Sequence, residues 1–297
     1  MSTITTRLHT GEHVQIEYLD EGPRDAPVVV LLHGYPDVPA TWDGVLELLP
    51  RDLRIIRPFI RGVGRTQART ADARSAQVAA LASDVLELLR SLDVEDVVLV
   101  GHDWGARAAH AVAVLEPRLI RGLVTLSTAY GPGSGLSEEE ALEDISVAWY
   151  RYWLCTEQGA RTFRRDPSAL TRWAWRRWSP SIRISESEME AILSATSTDE
   201  FADDVVHYYR HGAGEAEGTP LYESLQATLD AWPPIAVPAT FLIGTADGCE
   251  TLAPSRANGA FFSAGRAVRE LDGVGHFIQR EDPRAVTDAI VSHLEGR

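Results

Sequence analysis

The chain contains no lysine: all 28 of its basic residues are arginine. That absence excludes a Schiff-base lysine, a serine-lysine dyad and the lysine of a phosphate-binding P-loop. Cysteine is nearly as scarce. Cys155 and Cys249 are the only two, which rules out a disulfide framework and a paired metal motif. Such a chain suits a reducing compartment, and the expectation is cytoplasmic. Long apolar runs are missing too. No window approaches the ~20 apolar residues of a membrane span, and the polar stretch from Met1 to Val14 reads as neither signal peptide nor anchor. Positive charge is in the minority, with 28 basic against 43 acidic residues and a formal net charge of −15. This balance disfavours nucleic acid and membrane as partners and makes a neutral substrate the easier expectation.

What is present, 297 residues of which 44% are apolar, suits one large soluble domain or a core with a smaller insertion. From residue 14 to about 127, extended apolar runs at 28–32, 54–56, 96–100 and 122–126 alternate with helical stretches at 40–49, 73–92 and 106–115. Strands separated by helices imply an α/β fold with a mostly parallel central sheet flanked by helices on both faces. The pattern then breaks. From 131 to 218 no clear buried strand is visible, aromatic residues are dense, and helical patches at 138–153 and 186–193 indicate an inserted helical cap. The α/β pattern resumes at 239–244 and 268–271 and ends in an amphipathic helix at 283–294. The expected organisation is a core at 1–130, a cap at 131–218 and the rest of the core at 219–297.

The most informative stretch is Gly101-His102-Asp103-Trp104-Gly105, between the apolar run Val97-Val98-Leu99-Val100 and a helix-forming segment. A strand, a tight turn with small residues at both ends and a helix are what expose a nucleophile, here a carboxylate in place of the commoner serine. Two further loops supply partners. Asp247 follows the strand at 239–244 in Gly-Thr-Ala-Asp-Gly, and His276 follows the run ending near Leu271 in Gly-Val-Gly-His-Phe. Each residue alone has an ordinary explanation, as a turn carboxylate or a satisfied buried histidine. Their order along the chain, and their common placement after strands of one sheet, is that of a nucleophile, an acid and a base.

His33-Gly34-Tyr35-Pro36 follows the strand at 28–32. An oxyanion formed during acyl-type chemistry needs backbone donors, and the amides of Tyr35 and Trp104 are placed to supply them. His33 is expected to shape the loop, and Pro36 to carry a cis bond.

With these motifs the chain resembles the α/β-hydrolase superfamily, in its aspartate-nucleophile branch of epoxide hydrolases and haloalkane dehalogenases, and it is most similar to the epoxide hydrolases. The resemblance covers nearly the whole length and is loosest in the cap. It implies that Asp103 attacks carbon to form an alkyl-enzyme ester, that water activated by His276 hydrolyses it, and that Asp247 orients the histidine. It also implies two cap tyrosines donating to the epoxide oxygen, for which Tyr150 and Tyr209 are the candidates and Tyr152 and Tyr208 the nearest competitors. Cap aromatics also serve plain packing against the core.

The rival within the branch is haloalkane dehalogenation. Trp104 meets one of its requirements, Tyr35 stands where one subgroup has Asn, and cap tryptophans keep another subgroup open. Haloacid hydrolysis fits less well: Arg107 is in place in Gly-Ala-Arg, but Trp104 stands where an arginine would follow the nucleophile, so Arg107 is expected to make a structural contact at the helix start. A non-catalytic binding protein with this fold is the rival of another class. No cofactor or metal is implied. Gly62-Val63-Gly64 and Gly273-Val274-Gly275 lack the third glycine of a dinucleotide site, and His9/His13 and His207/His211 lack the Glu of a zinc-protease helix. A small apolar organic substrate is expected, and a homodimer is compatible with the sequence.

Overall fold

The computed structural model describes residues 6–132 and 135–296. Nine strands form one sheet: β1 (Arg7–Thr10), β2 (Val14–Glu21), β3 (Val28–Leu32), β4 (Arg54–Pro58), β5 (Gln67–Ala68), β6 (Val97–His102), β7 (Ile120–Leu126), β8 (Ala239–Gly244) and β9 (Arg266–Leu271). Their spatial order is β1-β2-β4-β3-β6-β7-β8-β9, with β5 paired to β2. The pairs made by β2 are antiparallel, and every neighbouring pair from β4 to β9 is parallel. This is the α/β-hydrolase architecture.

The central strands are continuous apolar runs because both their faces are covered. In β3, Val28, Val30 and Leu32 face the helices Val78–Ser91 and Trp104–Leu115, while Val29 and Leu31 face Val286 and Ile290 of the helix Pro283–Glu295. Each fully buried Val or Leu stabilises the sheet by roughly 1.5–3 kcal/mol.

Three helical expectations are corrected. The stretch 40–49 holds a 3-10 turn at Pro39–Trp42 and one helical turn at Asp43–Leu46. The helix expected from 73 begins at Val78, because residues 75–77 are held extended: the Ala76 amide donates to His207 Nδ1 and Gln77 Oε1 accepts the Thr219 amide. The stretch 138–153 is two helices, Glu138–Val147 and Trp149–Cys155, broken at Ala148. The break leaves Tyr150 buried while Trp149 and Tyr152 are exposed.

Between β7 and β8 the described residues contain no strand. Seven helices fill this segment, from Glu138–Val147 to Pro220–Asp230. No helix among the described residues is long and apolar enough to cross a membrane. The loops after β3, β6, β8 and β9 all open at the carboxyl edge of the sheet, beneath this helical segment, and that edge is where open α/β sheets place ligands.

Candidate active site

Asp103 sits at the top of the turn after β6 with φ +51° and ψ −115°, a backbone conformation that side-chain-bearing residues rarely hold. The turn closes because its flanks are glycine. A Cβ on Gly101 would lie 2.3 Å from the Gly105 carbonyl oxygen, and a Cβ on Gly105 would lie 2.3 Å from that of Leu32. The Asp103 carbonyl accepts the amides of Ala106 and Arg107 at 2.9 and 3.1 Å, starting the helix Trp104–Leu115.

His276 stands on the loop after β9 with Nε2 3.8 Å from Asp103 Oδ2. Its Nδ1–H donates to Asp247 Oδ2 at 2.9 Å, so Nε2 keeps its lone pair, and this atom has no hydrogen-bond partner among the described residues. Burial disfavours the imidazolium, but the Asp247 carboxylate with its hydrogen bond, and then Asp103, outweigh it, and the His276 pKa is raised above 6.5. Asp247 is itself held, because its Oδ1 accepts the amides of Cys249 and Glu250 at 2.8 and 3.0 Å. The structure thus brings Asp103, Asp247 and His276 together from three separate loops.

Several residues that sequence reasoning overlooked fix this group. The His276 carbonyl accepts the Ser127 hydroxyl at 2.8 Å and His102 Nε2–H at 3.0 Å, and the His276 amide donates to the Trp178 carbonyl at 3.0 Å. His102 remains neutral, because burial and then the neighbouring His276 push its pKa far down. Ser127 and His102 terminate adjacent strands, a placement visible once β6 and β7 are known to pair.

On the loop after β3, the Tyr35 amide donates to Asp103 Oδ1 at 2.8 Å, and the Tyr35-Pro36 bond is cis. The Tyr35 ring is buried against Trp104, with centroids 5.4 Å apart, so its backbone and not its phenol faces Asp103. His33 shapes this loop: Nδ1–H donates to the Gly34 carbonyl, Nε2 accepts the Ile60 amide, and burial brings its pKa down to about 4.

Above Asp103 lies a cavity of about 1050 Å³ walled by Trp104, Tyr208 and Tyr209 among others. The Trp104 indole N–H donates to the Tyr209 phenol oxygen at 3.2 Å, leaving the phenol hydrogen free to donate elsewhere. Burial and then the Asp103 charge raise the Tyr209 pKa, keeping it a phenol. Tyr150 is buried behind the cavity wall, its ring 5.5 Å from that of Tyr209. Its phenol lies 3.3 Å from Cys249 Sγ and accepts from Arg151 Nε at 3.3 Å. Of the competitors, Tyr208 stacks on Trp104 at 3.8 Å and lines the cavity, whereas Tyr152 is half exposed.

Arg107 departs from expectation. Its guanidinium lines the cavity and, among the described residues, has neither a hydrogen bond nor an ion pair, though Tyr208, Glu250, Arg151 and Asp103 act on it electrostatically, so only its backbone amide ties it to the helix start. The turn geometry is the reason: a residue one helical turn beyond Asp103 shares its face, and that face looks into the cavity. Arg151 and Glu250, also unforeseen, pair with each other across the wall at 2.5 Å. Glu250 stands three residues after Asp247, a proximity the sequence already displayed.

Asp103, Cys249 and His276 bring an oxygen, a sulfur and a nitrogen within 4.8 Å of one another, a set able to ligate a cation. The other histidine pairs have ordinary roles. His207 Nδ1 accepts the Ala76 amide while its Nε2–H donates to the Glu217 carbonyl, and His9 meets Glu87 at 3.0 Å.

Residues 27–283 match the alpha/beta hydrolase fold family. Epoxide hydrolase A of Mycobacterium tuberculosis is 26% identical, covering 100% of this chain and 99% of the relative. An epoxide hydrolase of Caballeronia sordidicola is 28% identical over 90% of this chain and 87% of its own length. Among solved structures, a provisional epoxide hydrolase from Klebsiella pneumoniae superposes with a TM-score of 0.87 at 29% identity, covering 97% of this chain and 96% of that one. A haloalkane dehalogenase loop variant from Bradyrhizobium elkanii shares the fold, with a TM-score of 0.79 at 21% identity over 99% and 97% of the two chains.

Proposed function

We propose, from the premise that this chain belongs to the alpha/beta hydrolase fold family, that it opens an epoxide to a vicinal diol. Its kinship makes it a hydrolase of the epoxide hydrolase-like kind. The finer reading rests on the chemistry of Asp103 and the tyrosines above it. An Asp103 oxygen attacks an epoxide carbon and the ring C–O bond breaks. The departing oxygen takes the proton of a tyrosine phenol, leaving a phenolate and an alkyl ester on Asp103. His276 then takes a proton from water, whose oxygen adds to the ester carbonyl. The resulting oxyanion would face the amides of Tyr35 and Trp104. Collapse regenerates the Asp103 carboxylate and frees the diol, and the histidinium returns its proton to the phenolate. Asp247 holds His276 in the required tautomer throughout.

The observation that carries this reading over dehalogenation is the Trp104 N–H bond to the Tyr209 oxygen. A halide leaving group needs that N–H free, whereas an epoxide oxygen needs the phenol hydrogen that the same bond orients. On this reading the segment between β7 and β8 acts as the cap, and Tyr209 is the principal donor with Tyr150 behind it. The cytoplasmic setting and the absence of a nucleic-acid or membrane partner follow from composition alone.

The test is intact-protein mass spectrometry of His276→Gln after incubation with styrene oxide or, separately, with 1-bromohexane. The expected result is a gain equal to the whole epoxide mass, together with diol formation by the wild type. Adduct from the halide alone would replace this reading with dehalogenation.

A further inference from the structure

Epoxide opening moves a charge across the cavity. When Asp103 becomes an ester its negative charge is gone, and an equal one appears on the phenol that has given its proton to the departing oxygen. Burial opposes that second charge. Tyr150 is fully buried and Tyr209 nearly so, and desolvation is the chief cause of the raised pKa of each. A cation on the receiving side would offset it.

Arg151 is placed to be that cation. Its Nε donates to the Tyr150 phenol oxygen at 3.3 Å, and its guanidinium carbon lies 5.8 Å from the centre of the Tyr150 ring. A different nitrogen, Nη2, donates to Glu250 Oε1 at 2.5 Å, so the guanidinium bridges the carboxylate and the phenol. Glu250 is pinned in turn, by the Thr128 hydroxyl at 3.4 Å and by its own amide, which donates to Asp247 at 3.0 Å. Tyr209 has a weaker partner, since among the described residues its phenol oxygen takes a hydrogen bond only from the neutral Trp104 indole. Its ring stands edge-on to that of Tyr150, 5.5 Å away. Of the groups acting on Tyr150, Cys249, Tyr209 and Asp103 oppose a phenolate, whereas Arg151 favours it, and Arg151 favours one on Tyr209 as well. A guanidinium bond to a phenolate is charge-assisted at both ends and roughly twice as strong as a neutral one.

We propose that Arg151, held by Glu250, is a positioning residue for ring opening: it stabilises the tyrosinate left when the paired phenols of Tyr150 and Tyr209 give up a proton, and it takes no part in ester hydrolysis. The proposal rests on the epoxide-opening reading. In that step the bond from Asp103 oxygen to carbon forms, the ring C–O bond breaks and the phenol proton passes to the departing oxygen, while Arg151 keeps all its protons. The negative charge thus leaves a carboxylate held by the Tyr35 amide and arrives beside a guanidinium.

The experiment uses two variants. Arg151→Met combined with Glu250→Gln removes both charges and leaves neither buried alone, and Arg151→Lys keeps a cation beside Glu250. First, trifluorotyrosine, which is more acidic than tyrosine, replaces Tyr150 in each background, and its phenolate absorbance is titrated. Its acid constant is expected to fall by about 10- to 100-fold in the double variant and to recover in part in Arg151→Lys. Second, rapid-quench mass spectrometry with styrene oxide on the unlabelled proteins separates the two chemical steps. Ester formation should slow by about tenfold in the double variant, with ester hydrolysis within about threefold of wild type. Equal ionisation with and without the charged pair overturns the proposal. So does equal slowing of both steps, or an Arg151→Lys enzyme no better than the double variant, either of which reduces Arg151 to a packing role. If the wild type opens no epoxide but the ionisation shift is present, the pairing of Arg151 with a phenolate stands and the epoxide reading fails.

Discussion

The two sides of the cavity are built on opposite rules. On the sheet side most polar groups near Asp103 are held by short, fixed hydrogen bonds from neighbouring loops and strand ends. Asp247 takes two amides besides His276, the His276 carbonyl takes two side-chain donors, and Asp103 takes the Tyr35 amide. On the helical side the polar atoms are held loosely and mostly by one another. The Tyr209 phenol meets an indole, the Tyr150 phenol meets a thiol and a guanidinium, and the Tyr208 phenol meets no partner among the described residues. The sheet side is preorganised for one reaction, whereas the helical side can accept different shapes and groups without disturbing it.

The sharpest way to break this contrast is on the sheet side. Asp103→Ala is expected to lower kcat/KM by roughly 10^4-fold or more, measured as diol formation from styrene oxide, because no neighbouring carboxylate occupies its place. His276→Gln should lower steady-state turnover by about 10^3-fold yet still consume one equivalent of epoxide per enzyme in a burst, since attack precedes water activation. A mutant without that burst would place His276 in the first step as well.

Substitutions on the helical side should have smaller effects. Tyr209→Phe is expected to slow epoxide opening by about 10- to 100-fold and to release the Trp104 N–H, leaving any halide activity undiminished. Equal loss with both leaving groups would contradict the donor role. The pH profile comes next. Because the His276 pKa is raised, its base form is depleted as pH falls through that value, which lies above 6.5, and hydrolysis of the ester should drop by up to about tenfold per pH unit below it. Rapid-quench mass spectrometry should then find the ester accumulating at acid pH. Tyr208→Phe is the smallest change, within about threefold in kcat, since its phenol has no partner and its ring still stacks on Trp104.

The same contrast explains what could be read from residues alone. Strands buried on both faces leave unmistakable apolar runs, and short loops tie Asp103, Asp247 and His276 to the ends of those strands. The break at Ala148 carries no glycine or proline to announce it, yet after it Tyr150 turns inward. Residues 75–77 lose their helix to His207 and Thr219, more than a hundred positions away. The cavity-facing placement of Arg107 was hidden for the same reason: a side chain at a helix start is structural or not according to what is packed above it, and here the helical segment leaves a cavity.

The helical segment leaves the sheet after β7 and rejoins it at β8, so the parallel pairing of these strands closes a loop spanning residues 127–238. Closure entropy grows only logarithmically with loop length, about 0.6 kcal/mol for each doubling. Lengthening or replacing this segment therefore burdens the sheet very little, and a lineage can exchange the whole roof of the cavity while inheriting the chemistry beneath it unchanged.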